Sequence, residues 1–382
     1  SHITLTMIDL PTVFPDITPI PQNEGKEPPV CSISYAPEFV QAHDYLRALL
    51  RSDERSQRAL DLTTACLEMN PANYTVWHYR RRILTTLHGG GVGGEMDEEV
   101  IDKDLEFADT LGGTNPKNYQ LWYHRRALLE IRFRNANQGG RVEAAQKELG
   151  YVDKILEDDS KNYHAWSHRQ WIVRTVNNPQ LWKSEVDYSH SKILDDPRNN
   201  SAWNQRWFAT HEGQIALSSA ASEGPTGNTC NDLKGGRVIL PLDVAAEEAH
   251  YALCGAKLDP YNESPWRYLI GVLMEQWRFA QREGNEVENV TNATNLITDN
   301  IAQIREMKQS LEDQPPAPDL ASVPCVSLIS ALVDLLEIFV QNKGLLEEAS
   351  TLCRTLAEVD YVRRKYWRKR EQDVRSQIET LN

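Results

Sequence analysis

The sequence predicts an all-α solenoid built from antiparallel helical hairpins. Two observations carry that expectation. Five times a tryptophan stands four residues after an asparagine: Asn73 and Trp77, Asn118 and Trp122, Asn162 and Trp166, Asn199 and Trp203, Asn262 and Trp266. Each copy also joins two stretches of helical apolar period, so the repeated unit is helix, short turn, helix. The chain of 382 residues exceeds a typical compact domain. A repeat array escapes that limit, because each unit packs only on its neighbours.

Residues 1–36 are proline-rich and lack helical period, so an extended or partly disordered arm is expected there. The helical repeat domain is expected over residues 37–382. Within it, residues 55–69 place Ala59, Leu62, Ala65, Cys66 and Met69 along one stripe. The segment Asn70-Pro71-Ala72-Asn73 breaks that helix, and a second opens on Tyr74. The pattern returns with helices at 100–111, 142–156, 182–194 and 245–258, each followed by a tryptophan helix. Successive tryptophans are 45, 44, 37 and 63 residues apart. The last interval is stretched by a loop near 218–236, rich in Gly, Ser and Asn. A further polar stretch spans 283–300 and reads as a second long loop. The proline-rich segment 313–324 precedes a final helix pair at 326–341 and 345–358. A last helix keeps Trp367 and Arg370 but has Arg363 in place of the asparagine, as befits a degenerate terminal copy.

The repeated residues read first as architecture. Each asparagine can cap its helix by accepting a backbone N–H. Trp77, Trp122, Trp166, Trp203 and Trp266 are expected between helix layers. Arg80, Arg125, Arg169 and Arg206 follow the first four tryptophans by three residues, on the same face, and are expected to bond carbonyls of a neighbouring helix. His78, His124 and His168 stand beside this core and read as structural.

The position just before the asparagine carries chemistry. It reads Ala72, Lys117, Lys161, Arg198 and Tyr261. Three neighbouring copies thus put a cation beside a helix N-terminus, where free N–H groups and partial positive charge already favour anions. A positive strip suited to a multiply charged ligand such as a diphosphate is expected. Tyr119 and Gln120 follow Lys117, and Asn162, Tyr163 and His164 follow Lys161; their side chains can bond phosphate or carboxylate oxygens.

Composition narrows the classes. The net charge of −14 and pI near 5.3 argue against general nucleic-acid binding. The most apolar stretch, 326–340, is interrupted by Asp334 and Glu337, so no membrane span is expected. No basic region followed by an apolar core marks a secretory leader. The six cysteines are scattered without Cys-x-x-Cys or Cys/His metal spacing, which fits reduced thiols in the cytoplasm. Gly89 to Gly94 lacks the Gly-Lys-[Ser/Thr] ending of a phosphate loop. The basic run 363–370 falls on a helix and reads as a solvated or interface face.

The segments Asn73 to Arg81, Pro116 to Arg126, Lys161 to Trp171 and Arg198 to Arg206 resemble successive repeats of the prenyltransferase alpha subunits. The resemblance is to the alpha subunit shared by protein farnesyltransferase and type I geranylgeranyltransferase. It implies a right-handed alpha-alpha superhelix, a crescent that supports a beta subunit as a heterodimer. It implies transfer of a farnesyl or geranylgeranyl group from its diphosphate to the cysteine of a C-terminal CaaX motif. It also implies that this chain binds no cofactor, with zinc in the beta subunit and magnesium accompanying the diphosphate. Spacing alone leaves Lys117 and Lys161 equivalent. The resemblance favours Lys117 as the lysine on the diphosphate, because Asn-Tyr-Gln follows it. It implies a place for Tyr119 near the reacting groups and for Gln120 on the peptide carboxylate. Asn162, Tyr163 and His164 match a second stretch facing the same site.

Two alternatives remain. The alpha subunit of Rab geranylgeranyltransferase carries the same repeats, often with immunoglobulin-like and leucine-rich domains, but neither pattern occurs here. A non-catalytic tetratricopeptide-like scaffold would repeat every ~34 residues, against the intervals of 44 and 45.

Overall fold

The structure is a computed structural model that describes residues 9–22, 31, 33–89, 96–113, 115–221, 239–282, 287–313 and 324–381. The chain is all-α. Among the described residues sixteen helices form and no β-strand; one isolated bridge joins Gly89 and Met96. Two compact units divide at Val176 and Asn177.

The first unit holds α1 (Leu10–Val13), α2 (Pro37–Ser52), α3 (Gln57–Met69), α4 (Tyr74–His88), α5 (Glu98–Gly112), α6 (Tyr119–Asn135), α7 (Gln138–Asp158) and α8 (Tyr163–Val176). Hairpins pair α3 with α4, α5 with α6 and α7 with α8. The expected proline-rich arm is more structured than an extended leader in its described part. Leu10 and Phe14 are buried, Phe14 packs on Tyr45, and Arg58 reaches Asp16 at 2.7 Å. Two apolar side chains with a burial site outweigh the lack of period around them.

The second unit holds α9 (Pro179–Asp195), α10 (Asn200–Ala221), α11 (Leu242–Leu258), α12 (Glu263–Ala280), α13 (Val287–Glu312), α14 (Val326–Leu336), α15 (Lys343–Val359) and α16 (Arg364–Thr380). Its core joins Trp203, Trp266 and Trp367 to Leu269, Ile297, Leu332 and Leu356. Two expectations are corrected here. Most of the polar stretch 283–300 is helix α13, because Ala293, Ile297, Ile301 and Ile304 form a buried stripe beneath its Asn and Thr face. And α14 stops at Leu336, short of 341, where the Ile338 and Phe339 N–H groups turn to carbonyls only three residues back, before Asn342 caps the next helix. Residues 222–236 of the expected loop, 90–94 of the glycine run and 314–323 of the proline-rich segment lie outside the described residues.

One turn is written five times. Asn73, Asn118, Asn162, Asn199 and Asn262 each accept a backbone N–H from the second residue onward, at 2.9–3.1 Å. Each tryptophan then closes the turn it follows. Its indole N–H donates to the carbonyl six residues earlier: Trp77 to Pro71, Trp122 to Pro116, Trp166 to Ser160, Trp203 to Pro197 and Trp266 to Pro260, all at 2.8–2.9 Å. The ring is buried between helices while its one polar atom is satisfied, as a buried indole requires. A cap and an indole latch each contribute about 1 kcal/mol. In the terminal copy Trp367 finds Asp360 instead, at 2.7 Å, and Arg363 makes no side-chain cap.

Candidate functional site

The repeats are joined by buried ion clusters. Arg125 grips Glu148 on α7 with two bonds of 2.8 and 2.7 Å and donates to the Leu105 carbonyl at 2.9 Å. Arg80 holds Asp104 on α5, and its Nη1 donates to Thr63 and Thr64. In the second unit Arg206 holds Glu248 at 2.7 and 2.6 Å. Within its own hairpin Arg169 also reaches the partly exposed Asp153, at 2.5 Å. The main partners are therefore carboxylates rather than the expected carbonyls. A buried guanidinium needs a counter-charge, which a carbonyl does not supply.

The acids share a register that sequence reasoning missed. Asp104, Glu148, Glu185 and Glu248 each stand fourteen residues before a capping asparagine. Each also meets the side chain two residues past the tryptophan of its own repeat: His124 at 2.7 Å, His168 at 2.9 Å, Gln205 at 2.6 Å and Tyr268 at 2.6 Å. The histidines are thus structural. Arg81 approaches His124 Nδ1 at 3.3 Å, so Nδ1 accepts and the proton sits on Nε2, facing Asp104. Burial lowers the His124 pKa against the pull of Asp104. Burial alone would raise Asp104 and Glu148, but Arg80 with His124, and Arg125 with His168, hold both carboxyls well below their ordinary range.

This ionic core leaves the hairpin turns of the first unit as an exposed polar edge, and the candidate residues lie on it. The Pro116 carbonyl sets their spacing. It accepts the Trp122 indole at 2.8 Å and the Asn162 amide at 3.4 Å, tying the cap of one repeat to the turn before it. Asn162 is buried, and its Oδ1 accepts from His164 N–H and Ala165 N–H. Both polar atoms of Asn162 are therefore spent on the fold, which removes it from the ligand-facing set. Its cap role was legible in the sequence, its burial was not.

Across that tie, the Tyr119 ring meets the His164 ring edge-on at 4.2 Å, and Tyr163 meets the same ring at 5.6 Å. Tyr119 and Tyr163 are 69% and 71% exposed, so both phenols reach outward. His164 is half-buried, and desolvation lowers its pKa, favouring the neutral ring at pH 7. Gln120 is half-buried in the first turn of α6, and Lys161 is exposed. The side chain of Lys117 is 71% exposed and its Nζ lies 3.1 Å from Asp159 Oδ2.

The strip of cations is therefore not bare. Lys117 faces Asp159 in the first unit, and Arg198 faces Asp259 at 2.7 Å in the second. Reading only the position before each asparagine hid the acid three places before the next one. Among the described residues no group of three or more His, Cys, Asp or Glu side chains could hold a metal ion, and no helix is long and apolar enough to cross a membrane.

Comparison with known proteins sets this geometry in a lineage. Residues 56–87, 101–132, 145–176 and 182–212 match the protein prenyltransferase alpha subunit repeat. Lys117 to Gln120 fall in the second stretch and Lys161 to His164 in the third. The chain is 35% identical to the protein farnesyltransferase/geranylgeranyltransferase type-1 subunit alpha of Arabidopsis thaliana, over 82% of this chain and 88% of that protein. It is 30% identical to the protein of the same name from Dictyostelium discoideum, over 96% of this chain and 94% of that one. In structure it is similar to a chain of Candida albicans protein geranylgeranyltransferase-I complexed with GGPP. The TM-score is 0.67 and the identity 23%, with 94% of this chain and 98% of that one covered.

Proposed function

This chain belongs to the family of protein farnesyltransferase/geranylgeranyltransferase type-1 alpha subunits, and we propose that it is the alpha half of a heterodimeric protein prenyltransferase. With a beta subunit it transfers a farnesyl or geranylgeranyl group from its diphosphate to the cysteine of a C-terminal CaaX motif. The observation that supports this reading is the turn edge at the α6 N-terminus, where Lys117 is exposed and the Tyr119 ring meets His164. The Rab-type and scaffold alternatives are less favoured, since the relatives matched over most of the chain carry the farnesyltransferase/geranylgeranyltransferase type-1 name and Lys117 with Gln120 fits that family better.

The chemistry follows from charge. As the carbon–oxygen bond of the isoprenoid diphosphate breaks, negative charge grows on the departing oxygens. A cation fixed beside them stabilises the transition state more than the ground state. Lys117 supplies that cation. Water screens its 71% exposed side chain in the isolated chain. A beta subunit covering the turn edge would strip that water and strengthen the interaction. Tyr119 and the neutral His164 lie close enough to border the same ligand, and Gln120 offers an amide to the peptide carboxylate.

Zinc in the beta subunit would keep the substrate cysteine as thiolate. The described residues of this chain offer no ligand set for it. Magnesium would accompany the diphosphate, and Lys117 would share its charge-neutralising task.

The test is co-expression with candidate beta subunits, followed by transfer assays with both diphosphates and a CaaX peptide. Lys117→Ala should lower turnover roughly 10²-fold, the scale of removing one such donor, while the heterodimer still assembles. Near-normal turnover in that variant would overturn the assignment.

A further inference from the structure

We infer that Asp159 is a positioning residue for Lys117, holding its ammonium along the turn edge before the diphosphate arrives. The inference rests on the transferase reading above and adds to it a second charged residue.

The position three before each capping asparagine reads Asn70, Asn115, Asp159, Asp196 and Asp259. In four copies its Oδ1 makes the same small loop, accepting the backbone N–H two residues on. Asn70 accepts from Ala72 at 3.1 Å, Asn115 from Lys117 at 3.3 Å, Asp159 from Lys161 at 3.3 Å and Asp196 from Arg198 at 2.9 Å. One acceptor oxygen is enough for that loop, and an asparagine amide supplies it at Asn70 and Asn115. A carboxylate at 159 is therefore more than the turn requires. Its second oxygen is the one that meets Lys117 Nζ, at 3.1 Å. The pattern repeats in the second unit, where Asp259 Oδ2 accepts from Arg198 Nε at 2.7 Å.

Asp159 is well anchored for such a task. Its N–H donates to the Ile155 carbonyl at the end of α7, and its carbonyl accepts the Asn162 N–H, both at 3.0 Å. Its Oδ2 is thus a fixed point, whereas a lysine side chain has many rotamers and no preferred geometry of its own. Both partners are partly exposed, so the pair adds little to folding. What it adds is placement. A cation held in position loses less freedom when it meets a developing charge. Asp159 touches no reacting atom and moves no proton.

The experiment uses the full chain purified with its beta subunit. Five versions are compared: unchanged, Asp159→Asn, Asp159→Glu, Lys117→Ala and the double variant of Asp159→Asn with Lys117→Ala. Asn70 and Asn115 show that asparagine keeps the turn. Asp159→Asn should therefore leave assembly and Tm unchanged. It should lower kcat about tenfold by loosening the cation, without raising KM for the isoprenoid diphosphate, because removing a negative charge does not weaken anion binding. Asp159→Glu should restore part of the loss. In the Lys117→Ala background Asp159→Asn should change nothing further, since the effect passes through the lysine. An unchanged kcat in Asp159→Asn, a lowered Tm, or a further tenfold loss in the double variant overturns the inference. A slow Lys117→Ala beside a normal Asp159→Asn sinks only the role of Asp159. A normal Lys117→Ala sinks the underlying assignment of Lys117 and this inference with it.

Discussion

At the scale of single residues, two kinds of charge must be kept apart. Lys117 with Asp159 is exposed and contributes little to folding. Arg125 with Glu148 is buried, and Glu148 also takes the His168 N–H. Removing Arg125 would leave a carboxylate in the interior without its guanidinium counter-charge. Arg125→Ala is therefore expected to destabilise the chain by about 3–5 kcal/mol. The exposed neighbouring pair of Arg126 and Glu130 is the control, and Arg126→Ala should cost about 0.5 kcal/mol or less. Urea unfolding followed by circular dichroism measures both. Equal midpoints for the two variants would show that the buried cluster is not what stiffens the repeat.

At the scale of elements, the asparagine caps and indole latches make each hairpin turn a rigid object. Asn162 does more than its counterparts in α4 and α6, because its amide also reaches the Pro116 carbonyl of the previous turn. Asn162→Ala should lose about 1–2 kcal/mol, at the upper end for a cap. It should also loosen the spacing between Lys117 and His164. The hydrogen exchange rates of the His164 and Ala165 amides report this directly, and rates unchanged from the parent would refute it. Much of this level was legible. The five asparagines and tryptophans marked the turns, and apolar spacing marked the helices. Helix α13 was hidden by its Asn- and Thr-rich outer face, since a narrow buried stripe hardly lifts the average hydropathy of the segment.

At the scale of the molecule, the buried acids set the response to pH. Asp104 and Glu148 have folded-state pKa values below their ordinary ones of 3.8 and 4.5. Their stabilisation is present above the ordinary values and is lost as pH falls through the folded ones. The lowered His124 acts in the same direction. Its neutral form is favoured in the fold, so stability starts to decline as pH drops below its ordinary value of 6.5. Stability should therefore be flat from pH 7 to 8 and fall in two stages, gently below about 6.5 and steeply below about 4. Urea midpoints measured across that range check it, and a midpoint that rises toward pH 4 would contradict the sign. The net charge of −14 works the other way, because acid relieves mutual repulsion. That long-range effect is screened by salt, and the buried contacts are not.

The sequence by itself determined the helices, their caps, the turns that the tryptophans close and the register of Lys117, because each of these is local, with partners within about two helical turns. Only the tertiary structure decided which acid answers which cation. Arg125 meets Glu148, and Lys117 meets Asp159, across separations of 23 and 42 residues. Such pairings depend on how one hairpin stacks on the next, and no local pattern of side chains specifies that stacking.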